Sequence, residues 1–92
     1  MTLLTDQERT DFLAENPDWT SEGSAIERTF RFADFNQAMG FVTRVALASE
    51  VADHHPDIDI RWNRVTIVLS THDEGGLTAK DTTLATQLTT FA

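Results

Sequence analysis

Asp57-Ile58-Asp59-Ile60-Arg61-Trp62-Asn63-Arg64-Val65-Thr66-Ile67-Val68-Leu69-Ser70 is the stretch that decides how this chain folds. Ile58, Ile60 and Trp62 alternate with charged residues, and past Asn63-Arg64 the residues Val65, Ile67 and Leu69 alternate with Thr66, Val68 and Ser70. Successive side chains on a strand point to opposite faces, so each run offers one apolar face to a core. Two such runs around two residues predict a β-hairpin. Asn63-Arg64 is the expected turn, since Asn tolerates positive φ, although Arg is not the ideal second residue.

Upstream, Asp34-Phe35-Asn36-Gln37 reads as a capping box that opens a helix over about Phe35 to Ala52. Phe35, Met39, Val42, Val45 or Ala46, and Ser49 follow the helical period; Phe41, Leu47 and Ala48 lie off that stripe. A helix apolar around so much of its girth needs cover on more than one side, from the sheet and from a partner subunit. Pro56 is expected to end it. Ahead of this helix, Ile26, Phe30 and Phe32 face one way and Glu27, Thr29 and Arg31 the other, with Arg28 breaking the apolar side of a half-buried strand. Thr5-Asp6-Gln7-Glu8 caps a short first helix carrying Phe12 and Leu13, and Asn16-Pro17 stops it. Trp19 begins a poorly patterned edge strand. Downstream, Thr78-Ala79-Lys80-Asp81 caps a last helix with Leu77, Leu84, Leu88 and Phe91 on one seam. The order α-β-β-α-β-β-α predicts an α+β domain over residues 1–92: a four-stranded antiparallel sheet with its helices packed on one face.

Composition narrows the function. The formal charge is −8, from 15 acidic and 7 basic residues. Such a field repels phosphate backbones, and the sequence shows no basic stripe to overcome it, so direct nucleic-acid binding is not expected. No residue is cysteine, which excludes disulfides and thiolate metal sites. No apolar run approaches the ~20 residues of a membrane span, and the first residues lack the basic and apolar regions of a signal peptide. A cytoplasmic protein is expected. At this size burial is marginal, which favours an oligomer.

The chemistry concentrates elsewhere. All three histidines are His54, His55 and His72, two of them adjacent within Glu50-Val51-Ala52-Asp53-His54-His55-Pro56. Imidazole is the side chain whose unperturbed pKa, roughly 6.5, suits proton transfer near neutral pH. Glu50 precedes His54 by four residues and would share its helix face. His72 leaves the second hairpin strand, and Asp81 lies in the first turn of the last helix. If the strands pack under the long helix, these ends meet in one pocket, with Trp62 as a flat wall. Plainer readings compete for each residue: His54 as a helix cap, His55 as a packing residue, Trp62 as core, Glu50 and Asp81 as surface and cap. A three-histidine zinc site is disfavoured, because adjacent imidazoles diverge and no His-Glu-x-x-His spacing occurs.

Glu50, three residues, His54-His55-Pro56, five residues, Trp62, nine residues, His72, eight residues, Asp81: this pattern resembles the signature of the pterin-4a-carbinolamine dehydratases. Phe41-Val42-Thr43-Arg44-Val45-Ala46 and Leu69-Ser70-Thr71-His72 also look like family sequence, and the likeness runs from Phe30 to Phe91. The resemblance implies dehydration of 4a-hydroxytetrahydropterin to quinonoid dihydropterin, which recycles the pterin of aromatic amino-acid hydroxylases without metal or organic cofactor. It implies acid/base roles for His54 and His72, with His55 chiefly holding the substrate. Ser70 and Thr71 would offer backbone groups to the pterin's amide edge, while Glu50, Asp53 and Asp81 orient imidazoles or bind ring nitrogens; Pro56 and Trp62 complete the substrate site. A homodimer or a homotetramer is expected, since both fit a small domain with an over-apolar helix. Because animal relatives act as dimerisation cofactors of a homeodomain transcription factor, the alternative is a non-catalytic protein-binding module.

Overall fold

Capping chemistry sets the helix starts. In the computed structural model, which describes residues 2–92, Thr5 Oγ1 accepts the Glu8 amide at 3.1 Å and Glu8 Oε1 accepts the Thr5 amide at 2.9 Å, opening α1 (Asp6–Glu15). Asn16 caps its end, as the following proline requires. Two strands follow, β1 (Thr20–Glu22) and β2 (Ala25–Arg31), then α2 (Phe35–Ala52), the hairpin strands β3 (Asp57–Arg61) and β4 (Arg64–Leu69), a 3₁₀ turn over His72–Glu74, and α3 (Ala79–Thr89). The strands form one antiparallel sheet in the order β1-β2-β4-β3. Among the described residues no helix is long and apolar enough to cross a membrane.

The hairpin turns one residue earlier than expected. Arg61 pairs with Arg64, so the loop is Trp62-Asn63, and the positive φ of 51° falls on Trp62. Alternation could not have told the two registers apart, because both keep Ile58 and Ile60 on the same side as Val65 and Ile67. Asn63 decides between them: its carbonyl accepts the Phe32 amide and its Nδ2 donates to the Phe32 carbonyl, both at 2.9 Å. These bonds pin the hairpin tip to the end of β2.

The core lies between one sheet face and the helices. Ile26 and Phe30 of β2 meet Val65, Ile67 and Leu69 of β4, and Phe41 of α2 stacks on Phe30 and Phe32 at ring separations of 4.6 and 5.0 Å. The buried stripe of α2 is Ala38, Phe41, Val45, Ala48 and Ser49, which corrects the expected one. Phe35 is exposed, and Phe41 and Ala48 are core. The helix carries two interleaved apolar stripes, and the sheet took the one whose small residues, Ala38 and Ala48, flank a single large ring. Leu47 and Val51, which lie on neither stripe, stay 65% and 90% exposed. Arg28 fits the apolar side of β2 by laying its guanidinium 4.2 Å from the Phe30 ring centre, with Asp18 at 3.6 Å and Thr89 Oγ1 at 3.3 Å. Trp19 is buried beside it, edge-on to Phe30 at 6.1 Å, and donates from Nε1 to Thr89 Oγ1 at 3.2 Å.

Candidate active site

The site begins where α2 stops. Pro56 does not end the helix; Asp53 does, three residues earlier, in the left-handed conformation at φ 50°, ψ 44°. Its amide donates to the Glu50 carbonyl at 3.2 Å, and the His54 amide donates to the Ser49 carbonyl at 3.1 Å. This pair of bonds is the Schellman arrangement, which normally carries glycine at the left-handed position. The reversal throws His54 and His55 off the helical spiral, so Glu50 cannot pair with His54 by the four-residue rule. Glu50 Oε1 meets His55 Nε2 instead, at 2.5 Å and largely in solvent, where such pairs contribute little.

His54 turns inward to Asp81. Its Nε2 lies 2.6 Å from Asp81 Oδ1, and the Asp81 side chain is 0% exposed. The other carboxylate oxygen, Oδ2, accepts the Thr71 hydroxyl at 2.7 Å and the Thr78 amide at 2.9 Å. Each hydroxyl has one proton, so the 2.8 Å contact between Thr71 and Thr78 is donated by Thr78, whose oxygen in turn accepts the Lys80 amide at 3.3 Å. Asp81 is thus at once the reciprocal member of the capping box of α3 and the anchor of His54. With three donors converging on it, the carboxylate acts as acceptor only, which puts a His54 proton on Nε2 and leaves Nδ1 as the ring nitrogen outside the network.

A cavity of about 350 Å³ opens beside this network. His54, His55 and His72 line it together with Asp53, Ser70 and Thr71. Two chain segments, the reversal after α2 and the exit from β4, therefore deliver all three imidazoles to one cleft. Asp73 and Lys80, which the sequence reading did not assign to the site, complete its rim. Lys80 was hidden as the second helical residue of α3; its neighbour Asp81 was the one visible signal. A smaller recess of about 220 Å³ lies on the α2–α3 side of His54, against Leu84 and Gln87, but no other histidine reaches it.

Trp62, Ser70 and Thr71 are engaged differently from what was expected. Trp62 sits at the hairpin tip, at the opposite end of β4 from Ser70, 66% exposed and outside the cavity lining. Either register of the turn leaves Trp62 at this tip, one hairpin length away from Ser70. The Thr71 backbone is spent within its own loop: its amide donates to the Gly76 carbonyl at 3.0 Å, and its carbonyl accepts from Glu74 at 3.0 Å and Gly76 at 3.3 Å. Its hydroxyl donates to Asp81 Oδ2. The Ser70 hydroxyl turns away to the Ser24 carbonyl at 2.8 Å. Among the described residues no group of three or more His, Cys, Asp and Glu side chains is placed to hold a metal ion.

The left-handed Asp53 gives a first expected outcome. Glycine adopts this conformation without penalty, so Asp53→Gly should raise the melting temperature by about 2–8 °C, from a gain of roughly 0.5–1 kcal/mol. The same change strips a carboxylate from the cavity rim, and weaker substrate binding should accompany the gain. A thermal melt beside a KM measurement reads both; a lower melting temperature would mean that the Asp53 side chain stabilises the turn.

Comparison with known proteins covers nearly the whole chain. The family model for Pterin 4 alpha carbinolamine dehydratase matches residues 2–91. A Chloroflexus aggregans protein named "Putative pterin-4-alpha-carbinolamine dehydratase" is 57% identical over 86 residues, 92% of each chain. The crystal structure of a transcriptional coactivator/pterin dehydratase from Brucella melitensis superposes with a TM-score of 0.95 at 36% identity, covering 99% of both chains. A pterin dehydratase-like RuBisCO assembly factor of the alpha-carboxysome shares the fold alone, with a TM-score of 0.68 at 21% identity over 80% of this chain and 86% of that one. The match across nearly every residue, and the fold that superposes with it, establish that this chain belongs to the pterin-4-alpha-carbinolamine dehydratase family.

Proposed function

We propose that the chain dehydrates a 4a-hydroxytetrahydropterin to the quinonoid dihydropterin and water, returning the pterin to an aromatic amino-acid hydroxylase. One observation carries the reading: three imidazoles line a single cavity, and one of them is held by a buried, fully bonded carboxylate. In the reaction the C4a–O bond breaks as the hydroxyl takes up a proton and leaves as water, while the neighbouring ring nitrogen gives up its proton. No electrons are gained or lost, so the work is two proton transfers, and the reaction as written requires neither metal nor organic cofactor. General acids and bases with pKa near the working pH supply typically 10²–10⁴-fold in such steps.

His54 and His72 suit the two transfers because they approach the cavity from separate segments. His54 offers Nδ1 in a fixed tautomer; His72 stands exposed at the start of the 3₁₀ turn and can exchange its proton with solvent. His55, tied to Glu50, holds the substrate, with Asp53 and Lys80 at the rim to meet polar ring atoms, and Asp81 acts through His54.

A second reading keeps the fold as a docking module. Leu47 and Val51, exposed on α2, favour a covering partner, and the name of the Brucella protein joins coactivator to dehydratase. A homodimer or homotetramer would cover the same residues, and light scattering reads which forms. Stopped-flow decay of freshly made 4a-hydroxytetrahydropterin separates the two readings. The enzyme is expected to accelerate it at least about 100-fold over buffer; a trace matching buffer leaves only the module.

A further inference from the structure

The outer face of the sheet, left open by the helices, carries a feature that no sequence spacing shows. Arg31 on β2 is the register partner of Arg64 on β4, and Arg64 is the partner of Arg61 on β3. Directly opposed residues share a face, and the core face is taken one position away by Phe30, Val65 and Ile60. The three side chains therefore stand in one exposed row across three adjacent strands, about 10 Å from first to last at the usual strand spacing.

They are three of only seven Lys and Arg residues in a chain of charge −8. Arg61 has Asp59 at 3.3 Å; Arg31 and Arg64 have no ion pair among the described residues. Stability does not account for the row, since like charges directly opposed on neighbouring strands repel. A second local cost adjoins it. Trp62, next to Arg61, holds a φ of 51° that bulky residues rarely adopt, with its side chain mostly in solvent. The backbone beneath is nevertheless held firmly by the paired bonds between Asn63 and Phe32, which fixes the spacing of the three Cα atoms that carry the row.

We propose that this row is a binding site for a nucleoside di- or triphosphate. Guanidinium groups grip phosphate oxygens in two-point forks, and three in line match a short chain of phosphates better than a single one. Trp62, at the β3 end of the row, supplies a flat surface for the base. A long polyanion would meet the repulsion of the whole acidic surface, which favours a small ligand. The row lies at the far end of β4 from Ser70 and Thr71, so this site stands apart from the histidine cavity and does not depend on the chemistry proposed there.

Trp62 is also the readout, because the other tryptophan, Trp19, is 2% exposed in the core. The full chain is titrated at low ionic strength with ATP, inorganic tripolyphosphate and orthophosphate, followed by tryptophan emission and calorimetry. Saturable binding of ATP and tripolyphosphate is expected, with orthophosphate at least tenfold weaker and added salt weakening all three. Arg31→Gln or Arg64→Gln should weaken ATP about tenfold each, while Arg44→Gln, on α2, changes nothing. Both row variants should melt no lower than wild type, since each removes a like-charge contact. ATP binding no tighter than tripolyphosphate overturns the nucleoside assignment and leaves inorganic polyphosphate as the ligand. Absence of saturation, or row variants that bind as wild type does, overturns the site. A shift of molecular mass in Arg64→Gln by light scattering overturns it as well, because the row would then be a contact between copies of the chain.

Discussion

Replacing His72 by alanine is expected to slow 4a-hydroxytetrahydropterin dehydration about 10²–10⁴-fold and to leave the melting temperature within about 2 °C of wild type. The second half of that expectation matters as much as the first. His72 is exposed and among the described residues no bond of its side chain holds the fold, so lost activity in His72→Ala cannot be ascribed to unfolding. His54→Ala should lose activity on the same scale but behave differently in two other measurements. It removes one of three donors from a buried carboxylate, which should cost roughly 1–3 kcal/mol. The place left by His72 is open to solvent, whereas an imidazole taking the place of His54 would have to re-form the buried contact with Asp81. Added imidazole should therefore restore more of the rate in His72→Ala than in His54→Ala. Full activity in either variant would remove that histidine from the proton transfers. Equal rescue in both would mean that the contact with Asp81 re-forms freely.

The contrast between these two histidines shows what the sequence made legible and what it did not. Features decided within a few residues were readable: the capping box at Thr5, the start of α2 at Asp34 and its last residue Ala52, the hairpin, and the box at Thr78. Each depends on side chains that reach their own backbone, and the pattern of types is enough. The phase of α2 was not readable. Period alone could not choose between stripes through Phe35 and through Phe41, since the choice depended on the shape of the sheet beneath. The partner of His54 was equally hidden. Counting four residues back pointed to Glu50, but the chain reverses at Asp53, and the acid that reaches His54 lies 27 residues onward. Trp62 was misplaced because the residue beside a hairpin turn lies a strand length from the cavity at the other end of β4, whichever register the turn takes. The arginine row was invisible for the same kind of reason: Arg31 and Arg64 become neighbours only through the pairing of β2 with β4.

Asp81 should prove the most consequential single side chain in the molecule, and two substitutions separate its structural from its chemical role. Asp81→Ala leaves the Thr78 amide, the Thr71 hydroxyl and the His54 ring without an acceptor in a fully buried place. Removing one partner from a buried charged network costs about 3–5 kcal/mol. Domains of this size are stable by only about 5–15 kcal/mol, so a loss of at least about 15 °C in melting temperature is expected. Asp81→Asn should act otherwise. Its carbonyl can still accept from Thr71 and Thr78, while its amide nitrogen, set where Oδ1 stood, must donate to His54. Nε2 then becomes the acceptor and the ring proton moves to Nδ1, on the outward side. The fold is kept and the tautomer is reversed. An imidazole that should accept at Nδ1 would present a proton there instead, and the rate should fall about 10²–10⁴-fold with KM nearly unchanged, as expected when a carboxylate that sets a histidine tautomer is made neutral. Nitrogen chemical shifts of the His54 ring in the two proteins read the tautomer directly. An Asp81→Asn protein with wild-type turnover, or with the proton still on Nε2, would show that the carboxylate serves the helix cap alone.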